Sequence, residues 1–292
     1  MTKASSSLRR MAVSALFLSI ALVLKTFFSF QIPLFGQNGM SVGISGVFSM
    51  MPSLLFGPFY GAAVSGLSDL LGYLIKPTGA FMPLLTLTAA LSGFLRGLSY
   101  RGLRRRSDRG LRWAVILLSV LLLAAGLASL IMLRMDGIDA GYYQQVDPQQ
   151  AKEAALSPIG RMLVTRTADT KDPGGNLATY LISVTAGPLG CAALGFLLLL
   201  ADWLARRLLP NSGRAGVLAM LLAVVGSGLV VTTINTVILR ETVYASWKLL
   251  PFGVLWIPRV IEEILASAVK VCFMAALMEV FANRPALRQL TQ

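Results

Sequence analysis

Histidine is absent from this sequence of 292 residues, and cysteine occurs only at Cys191 and Cys272. Without histidine the chain lacks the commonest proton shuttle and zinc ligand, which excludes zinc-hydrolase motifs such as HExxH. Two thiols, each within an apolar run, exclude a disulfide framework. Charged residues make up only 13% of the chain, about half of their share in a typical soluble domain. Composition alone therefore disfavours a soluble enzyme.

The motifs that mark nucleotide-dependent and hydrolytic enzymes are also missing. The sequence contains no GxxxxGK[ST], GxGxxG or GxSxG segment, so it does not itself cradle ATP phosphates. Ser267 to Lys270 matches S-x-x-K but lacks the companion motifs of Ser–Lys enzymes. A membrane-embedded enzyme that uses Asp69, Glu262 or the Ser267/Lys270 pair stays open as an alternative, although no complete catalytic set is present.

Apolar runs dominate the chain. Hydrophobic residues make up 55% and the mean hydropathy is +0.71, which is typical of helices that each cross a hydrocarbon core of about 30 Å. The run after Lys3, Arg9 and Arg10 has no Ala-x-Ala site, which favours an uncleaved first helix over a signal peptide. The second helix is too short to cross fully. The predicted helices cover about 8–30, 44–56, 58–75, 82–100, 113–133, 180–205, 215–239 and 254–281.

Small residues within these runs predict close helix packing. The segment 48–98 is almost wholly apolar and is divided by Gly-Pro and Lys-Pro. Four small-xxx-small pairs lie within it, and such pairs let helix backbones approach in a membrane. They are Gly57–Gly61, Ala62–Gly66, Ala89–Gly93 and Gly93–Gly97. The pattern predicts a compact bundle that encloses something.

Basic residues in the connectors predict the orientation. Segments 1–10, 96–112, 206–214 and 282–292 hold 15 of the 26 Lys and Arg residues, and such segments lie on the cytoplasmic side. The connector 134–178 has five basic and six acidic residues, as expected of an outer loop. We therefore predict a plasma-membrane protein with both termini cytoplasmic. The net charge of +13 then reflects topology and contact with anionic membrane lipid, and not nucleic acid.

Ionisable residues inside the predicted spans are the first candidates for function, because they are costly there. Lys25 lies near the outer end of the first helix, Asp69 lies deep in the third, and Arg259 follows Pro258. Pro258 fits a first helical turn, so Arg259 beside a positive helix terminus would form an anion site that Lys25 joins. Snorkelling cations, a structural Asp69 and an ion pair between Arg259 and the glutamates one turn later also remain open.

Two segments carry a family resemblance. Residues 54–72 (LLFGPFYGAAVSGLSDLLG) and 76–97 (KPTGAFMPLLTLTAALSGFLRG) resemble the substrate-binding S components of energy-coupling factor (ECF) vitamin transporters, most closely the folate-type branch. Lys25 before Phe27 and Phe28, the Ile-Asn-Thr segment at 234–236 and the Pro-Arg start within 251–262 are similar to further parts of that family.

The resemblance implies an all-α, polytopic transmembrane bundle with a six-helix S-component core and no catalytic chemistry, cofactor or metal. Residues 1–100 would form helices 1–4, and 214–292 would form helices 5–6. Residues 101–213 would be an inserted transmembrane hairpin with the outer loop 134–178. A non-transport scaffold that uses this loop as an interaction surface is the remaining alternative.

The resemblance also implies capture of a vitamin from outside, folate-like or another anionic heteroaromatic. A membrane coupling subunit and two cytoplasmic ATPases would drive uptake, and Ala15 and Ser19 would contact the coupling subunit. Flat ligands would stack on aromatics, which otherwise form an interfacial belt. The candidate substrate-binding residues are Lys25, Phe28, Asp69, Tyr73, Thr86, Asn235, Trp256 and Arg259.

Overall fold

The computed structural model describes residues 3–27, 30–32, 40–42, 45–77, 81–169, 172–208, 216–242 and 252–283. Within these ranges the chain is almost entirely helical, apart from two short antiparallel strands that pair Phe30 with Val42. In chain order the elements are α1 (Lys3–Phe27), β1 (Phe30–Ile32), β2 (Met40–Val42), α2 (Ser45–Leu55), α3 (Pro58–Ile75), α4 (Pro83–Leu103), α5 (Asp108–Met135), α6 (Tyr142–Gln145), α7 (Pro148–Glu153), α8 (Pro158–Thr167), α9 (Pro173–Leu208), α10 (Val217–Thr242) and α11 (Phe252–Asn283).

The structure confirms an all-α polytopic bundle. In the described ranges, five helices are long and apolar enough to cross a membrane, namely those within α1, α5, α9, α10 and α11. The second predicted helix is short, as expected, at 11 residues. The first helix, predicted at about 8–30, runs from Lys3 to Phe27, and β1 begins at Phe30.

Helices α3 and α4 approach closely because glycines face each other. A Cβ placed on Gly61 would lie 2.5 Å from the carbonyl oxygen of Gly93, and one on Gly97 would lie 2.7 Å from Cα of Pro58. A Cβ on Gly93 would overlap the Gly61 backbone. All four predicted small-xxx-small pairs thus contribute glycines to this contact, since Gly66 of the pair Ala62–Gly66 also faces α4, at Ala90.

We expect Gly93→Ala to destabilise the bundle, because the added methyl group has no space beside the backbone of α3. Overpacking of this kind typically costs about 1–3 kcal/mol. Gly102→Ala in the same helix is the control, since no atom lies within 4 Å of the added methyl group. Thermal unfolding of both variants in detergent measures the difference. Equal unfolding temperatures would contradict the close contact.

Helix α10 is the centre of the bundle and packs against α4, α5 and α11. Its buried side chains, among them Met220, Ala223 and Val224, join those of α2, such as Val47 and Met51, in one apolar core. Inside a membrane such a core is held by van der Waals packing, because lipid tails are as apolar as these side chains. Polar side chains of α3, α4 and α10 lie outside this apolar core and contact one another.

The prediction of an outer loop at 134–178 is wrong in one respect, because most of this segment is folded. Helices α6, α7 and α8 form a small cap with its own apolar core, which includes Ile138, Leu163 and Val164. The backbone N–H and Oγ of Ser157 both donate to the Asp136 carboxylate, at 3.0 and 2.5 Å. Helix α8 contacts α5, α9 and α11, so the cap rests on the bundle.

Candidate ligand-binding cavity

A cavity of about 490 Å³ opens between six helices. This volume lies in the range of small-molecule sites. Each of α1, α2, α3, α4, α10 and α11 contributes at least one side chain to its wall. The lining residues are Lys25, Ser49, Met50, Ser65, Ser68, Asp69, Leu85, Ala89, Ser92, Arg96, Val231, Asn235, Leu239 and Arg259.

Two hydrogen bonds position the polar middle of the cavity. Thr86 Oγ1 donates to Asp69 Oδ2 at 2.8 Å, which joins α4 to α3. Thr88 Oγ1 lies 2.6 Å from Asn235 Oδ1, which joins α4 to α10. Thr86 and Thr88 sit in the Thr-Leu-Thr segment that carries part of the family resemblance. The structure thus brings the predicted residues Asp69, Thr86 and Asn235 into one neighbourhood.

Lys25 and Arg259 both line this cavity, Lys25 from the first helix, α1, and Arg259 from the last helix, α11. Lys25 lies against α3, where a Cβ placed on Gly72 would be 2.6 Å from its Nζ. Two predicted cations therefore face the same space as Asp69.

The predicted helix start at Pro258 is wrong. Helix α11 begins at Phe252, so Pro258 lies inside it and Arg259 is a full turn and more from the terminus. The apolar periodicity continues upstream of the proline, and proline is tolerated in membrane helices because neighbours satisfy the freed carbonyl. The dipole argument for an anion site at Arg259 therefore fails, whereas the placement of its guanidinium in the cavity wall remains.

Arg96 is the functional candidate that the sequence reasoning missed. Its side chain is only 4% exposed, and Nη2 donates to Ser92 Oγ at 2.9 Å. It was counted as a topological charge of segment 96–112. The signal that identifies it is helical spacing, because Leu85, Ala89, Ser92 and Arg96 follow one face of α4 and all line the cavity.

Behind Arg96 lies a second charged layer on α11. Glu263 interacts electrostatically with both Arg96 and Lys270. Its Oε1 accepts from Ser267 Oγ at 3.0 Å, and its carboxyl packs on Gly228 of α10. Ser267 is fully buried and donates to a carboxylate, an arrangement that does not favour its use as a nucleophile. Among the described residues, no group of three or more Cys, Asp or Glu side chains could hold a metal ion.

Three predicted ligand contacts, Tyr73, Thr86 and Trp256, are not among the lining residues of this cavity, and Phe28 lies outside the described residues. The Tyr73 ring packs on Phe81 with centroids 5.0 Å apart. Trp256 stacks on Phe252, and its Nε1 donates to Thr233 Oγ1 at 2.8 Å, which joins α11 to α10.

The predicted partner surface lies on the outer face of α1. Ala15 and Ser19 are both exposed, and Ser19 Oγ donates to the Ala15 carbonyl oxygen at 3.0 Å, so the hydroxyl is satisfied within the helix. Leu8, Met11 and Leu16 on this helix are also exposed. Small residues such as Ala15 and Ser19 allow close helix contacts in a membrane.

Comparison with known proteins gives one family. Residues 5–148, just under half of the chain, match the family model described as the S component of an ECF-type riboflavin transporter. No curated protein and no solved structure matched the chain. The matched range includes α1 to α5 and with them the polar walls of the cavity from Lys25 to Arg96. The apolar helices support an integral membrane protein, and its N-terminal part is similar to the S component of an ECF-type riboflavin transporter.

Proposed function

We propose that this chain binds an anionic heteroaromatic vitamin, folate-like in charge, and delivers it to an ECF transporter. The observation that carries the proposal is the lining of the cavity, where Lys25, Arg96 and Arg259 face a single acid, Asp69. Glu262 follows Arg259 along α11 and offsets part of this charge. A site of this kind in a low-dielectric bundle favours an anion over a neutral ligand of the same shape.

The rest of the wall suits a flat ring. Met50, Leu85, Ala89, Val231 and Leu239 supply apolar surface on several sides. Asp69 and Asn235 lie among them and can accept hydrogen bonds from ring N–H groups. The riboflavin named in the matching family description is uncharged, so the cationic lining favours an acidic relative of such a ring.

We further propose the arrangement in the membrane. Both termini and segment 96–112 lie in the cytoplasm, and the cap formed by α6 to α8 lies outside, because this places the basic connectors inside. Residues 101–213 are an insertion in a six-helix core, with α5 and α9 as its paired spans. A coupling subunit binds the α1 face at Ala15 and Ser19, and two ATPases supply the energy, since this chain has no phosphate-binding loop.

Uptake into liposomes tests the proposal. The chain is reconstituted with and without a coupling subunit and its two ATPases, and entry of folate and of riboflavin is followed. We expect ATP-dependent entry of the acidic vitamin only in the complete assembly. Entry at the full rate with the chain alone would refute the role of a binding subunit, and preference for riboflavin would refute the anionic substrate.

A further inference from the structure

The guanidinium of Arg96 forms one end of the cavity, and only some of its N–H groups have a hydrogen-bond partner in the protein. Arg96 is 4% exposed, and its Nε and Nη1 have no hydrogen-bond partner among the described residues. Burying a cation without acceptors is costly, so such a group needs a partner of opposite charge. Resting on the proposed function, we propose that Arg96 receives the acidic group of the ligand, which therefore binds with its acid at the end of the cavity away from Lys25.

The depth of this position follows from the hydrogen bonds along α4. Thr86 marks the level of Asp69, and the Arg96 guanidinium is drawn back to the level of Ser92, as helical side chains tilt towards the N-terminus. Thr86 and Ser92 are six residues apart, or about 9 Å along the helix. Lys25 lies on the far side of Asp69, against Gly72. The acid-binding end and the Asp69 end are thus well separated.

Arg259 approaches the same end from α11. Trp256 is bonded to Thr233, and Glu263 packs on Gly228. Arg259 lies between these two contacts along α11, near the level of Val231, the deepest residue that α10 contributes to the wall. Two guanidinium groups from different helices therefore converge on the half of the cavity opposite Lys25. Paired arginines favour a carboxylate or phosphate, whose oxygens accept several charge-assisted bonds.

Glu263 does not neutralise the positive charge at the Arg96 end of the cavity. Glu263 is shared electrostatically between Arg96 and Lys270, and its Oε1 is already engaged by Ser267. One carboxylate between two cations leaves one positive charge, and Glu262 offsets part of the charge of Arg259. The ligand class that fits is a flat heteroaromatic with ring N–H donors for Asp69 at one end and an acidic substituent about 9 Å away.

Two ligand pairs test the assignment, because in each pair only one member is acidic. Flavin mononucleotide is riboflavin with a phosphate on its ribityl chain, and folate is pterin extended by an aminobenzoyl-glutamate that carries two carboxylates. We expect the wild-type protein in detergent to bind the acidic member of one pair at least tenfold more tightly. Arg96→Met, which keeps the length of the stem, should remove this preference, so that the ratio of the two affinities falls at least tenfold. Arg96→Lys should restore part of it.

Thermal unfolding without ligand separates binding from a structural role. If Arg96 serves the ligand, Arg96→Met should unfold at the same temperature or higher, because a buried cation is removed. Should this variant not fold, Arg96→Met with Glu263→Gln removes the facing carboxylate as well, and failure of both to fold overturns the inference. Preference for the acidic ligand that persists in Arg96→Met also overturns it and leaves the proposed function intact. A wild-type protein without any such preference contradicts the proposed function itself.

Discussion

Arg259→Ala is expected to weaken binding of the anionic ligand by at least tenfold. Loss of one partner of a buried, charge-assisted pair costs on the order of 2–5 kcal/mol, since the other charge is left unpaired. Each 1.4 kcal/mol corresponds to about one decade in affinity. Arg259 lines the cavity from α11, so its loss removes a direct contact. Arg259→Lys should restore only part of the affinity, because the charge remains but the bidentate fork is lost.

Isothermal titration on detergent-purified protein measures this effect, with Arg134→Ala as the matched control. Arg134 is an exposed arginine at the end of α5, outside the cavity wall. Glu262→Gln and Glu263→Gln distinguish ligand binding by Arg259 from the alternative in which Arg259 only pairs with these acids. That alternative predicts a loss of thermal stability similar to Arg259→Ala, with affinity unchanged. Normal binding by Arg259→Ala would show that the cation does not grip the ligand.

Leucine at position 15 or 19 is expected to abolish most of the association with the coupling subunit. Ala15 and Ser19 form an exposed, small surface on α1, and an isobutyl group there prevents the close helix approach that small residues allow. Ligand binding should be unaffected, because neither residue lines the cavity. Co-purification with a tagged coupling subunit gives the loss of association, and titration of the same samples gives the affinity.

Ala63→Leu is the control for this surface. Ala63 is an exposed alanine on α3, and it has no small residue four positions away on either side. The same increase in bulk should leave assembly intact at this position. Equal loss of assembly in Ala63→Leu would assign the effect to bulk anywhere on the bundle, and full assembly of both α1 variants would place the partner on another face.

The helices could be predicted because proline and glycine divide the apolar runs. Gly57-Pro58 and the Lys76-Pro77 pair set the ends of α3 correctly at Pro58 and Ile75. The cap could not be predicted, since its apolar residues lie far apart among polar ones and only tertiary contact assembles them. The predicted helix start at Pro258 was wrong because proline often begins a helix in soluble proteins, whereas a membrane helix can hold a proline in its interior.

Some residues of the site could be predicted from the sequence and others could not. Lys25, Asp69 and Arg259 stood out because charge inside an apolar run is costly. Arg96 did not stand out, because it begins the basic segment 96–112, and its helical spacing from Ser92 and Ala89 becomes informative only once that face of α4 is known to line the cavity. The depth of Trp256 predicts a ligand contact, and sequence alone could not show its hydrogen bond to Thr233 of α10.

The central claim is that this cavity selects an acidic heteroaromatic, and the most direct measurement is to identify what the protein retains. The chain is purified in detergent from cells grown in rich medium, denatured, and the released small molecules are analysed by mass spectrometry beside the Arg259→Ala variant. The account predicts a heteroaromatic with a carboxylate or phosphate, present with wild type and at least tenfold depleted with the variant. Release of uncharged riboflavin in equal amounts from both proteins would contradict it.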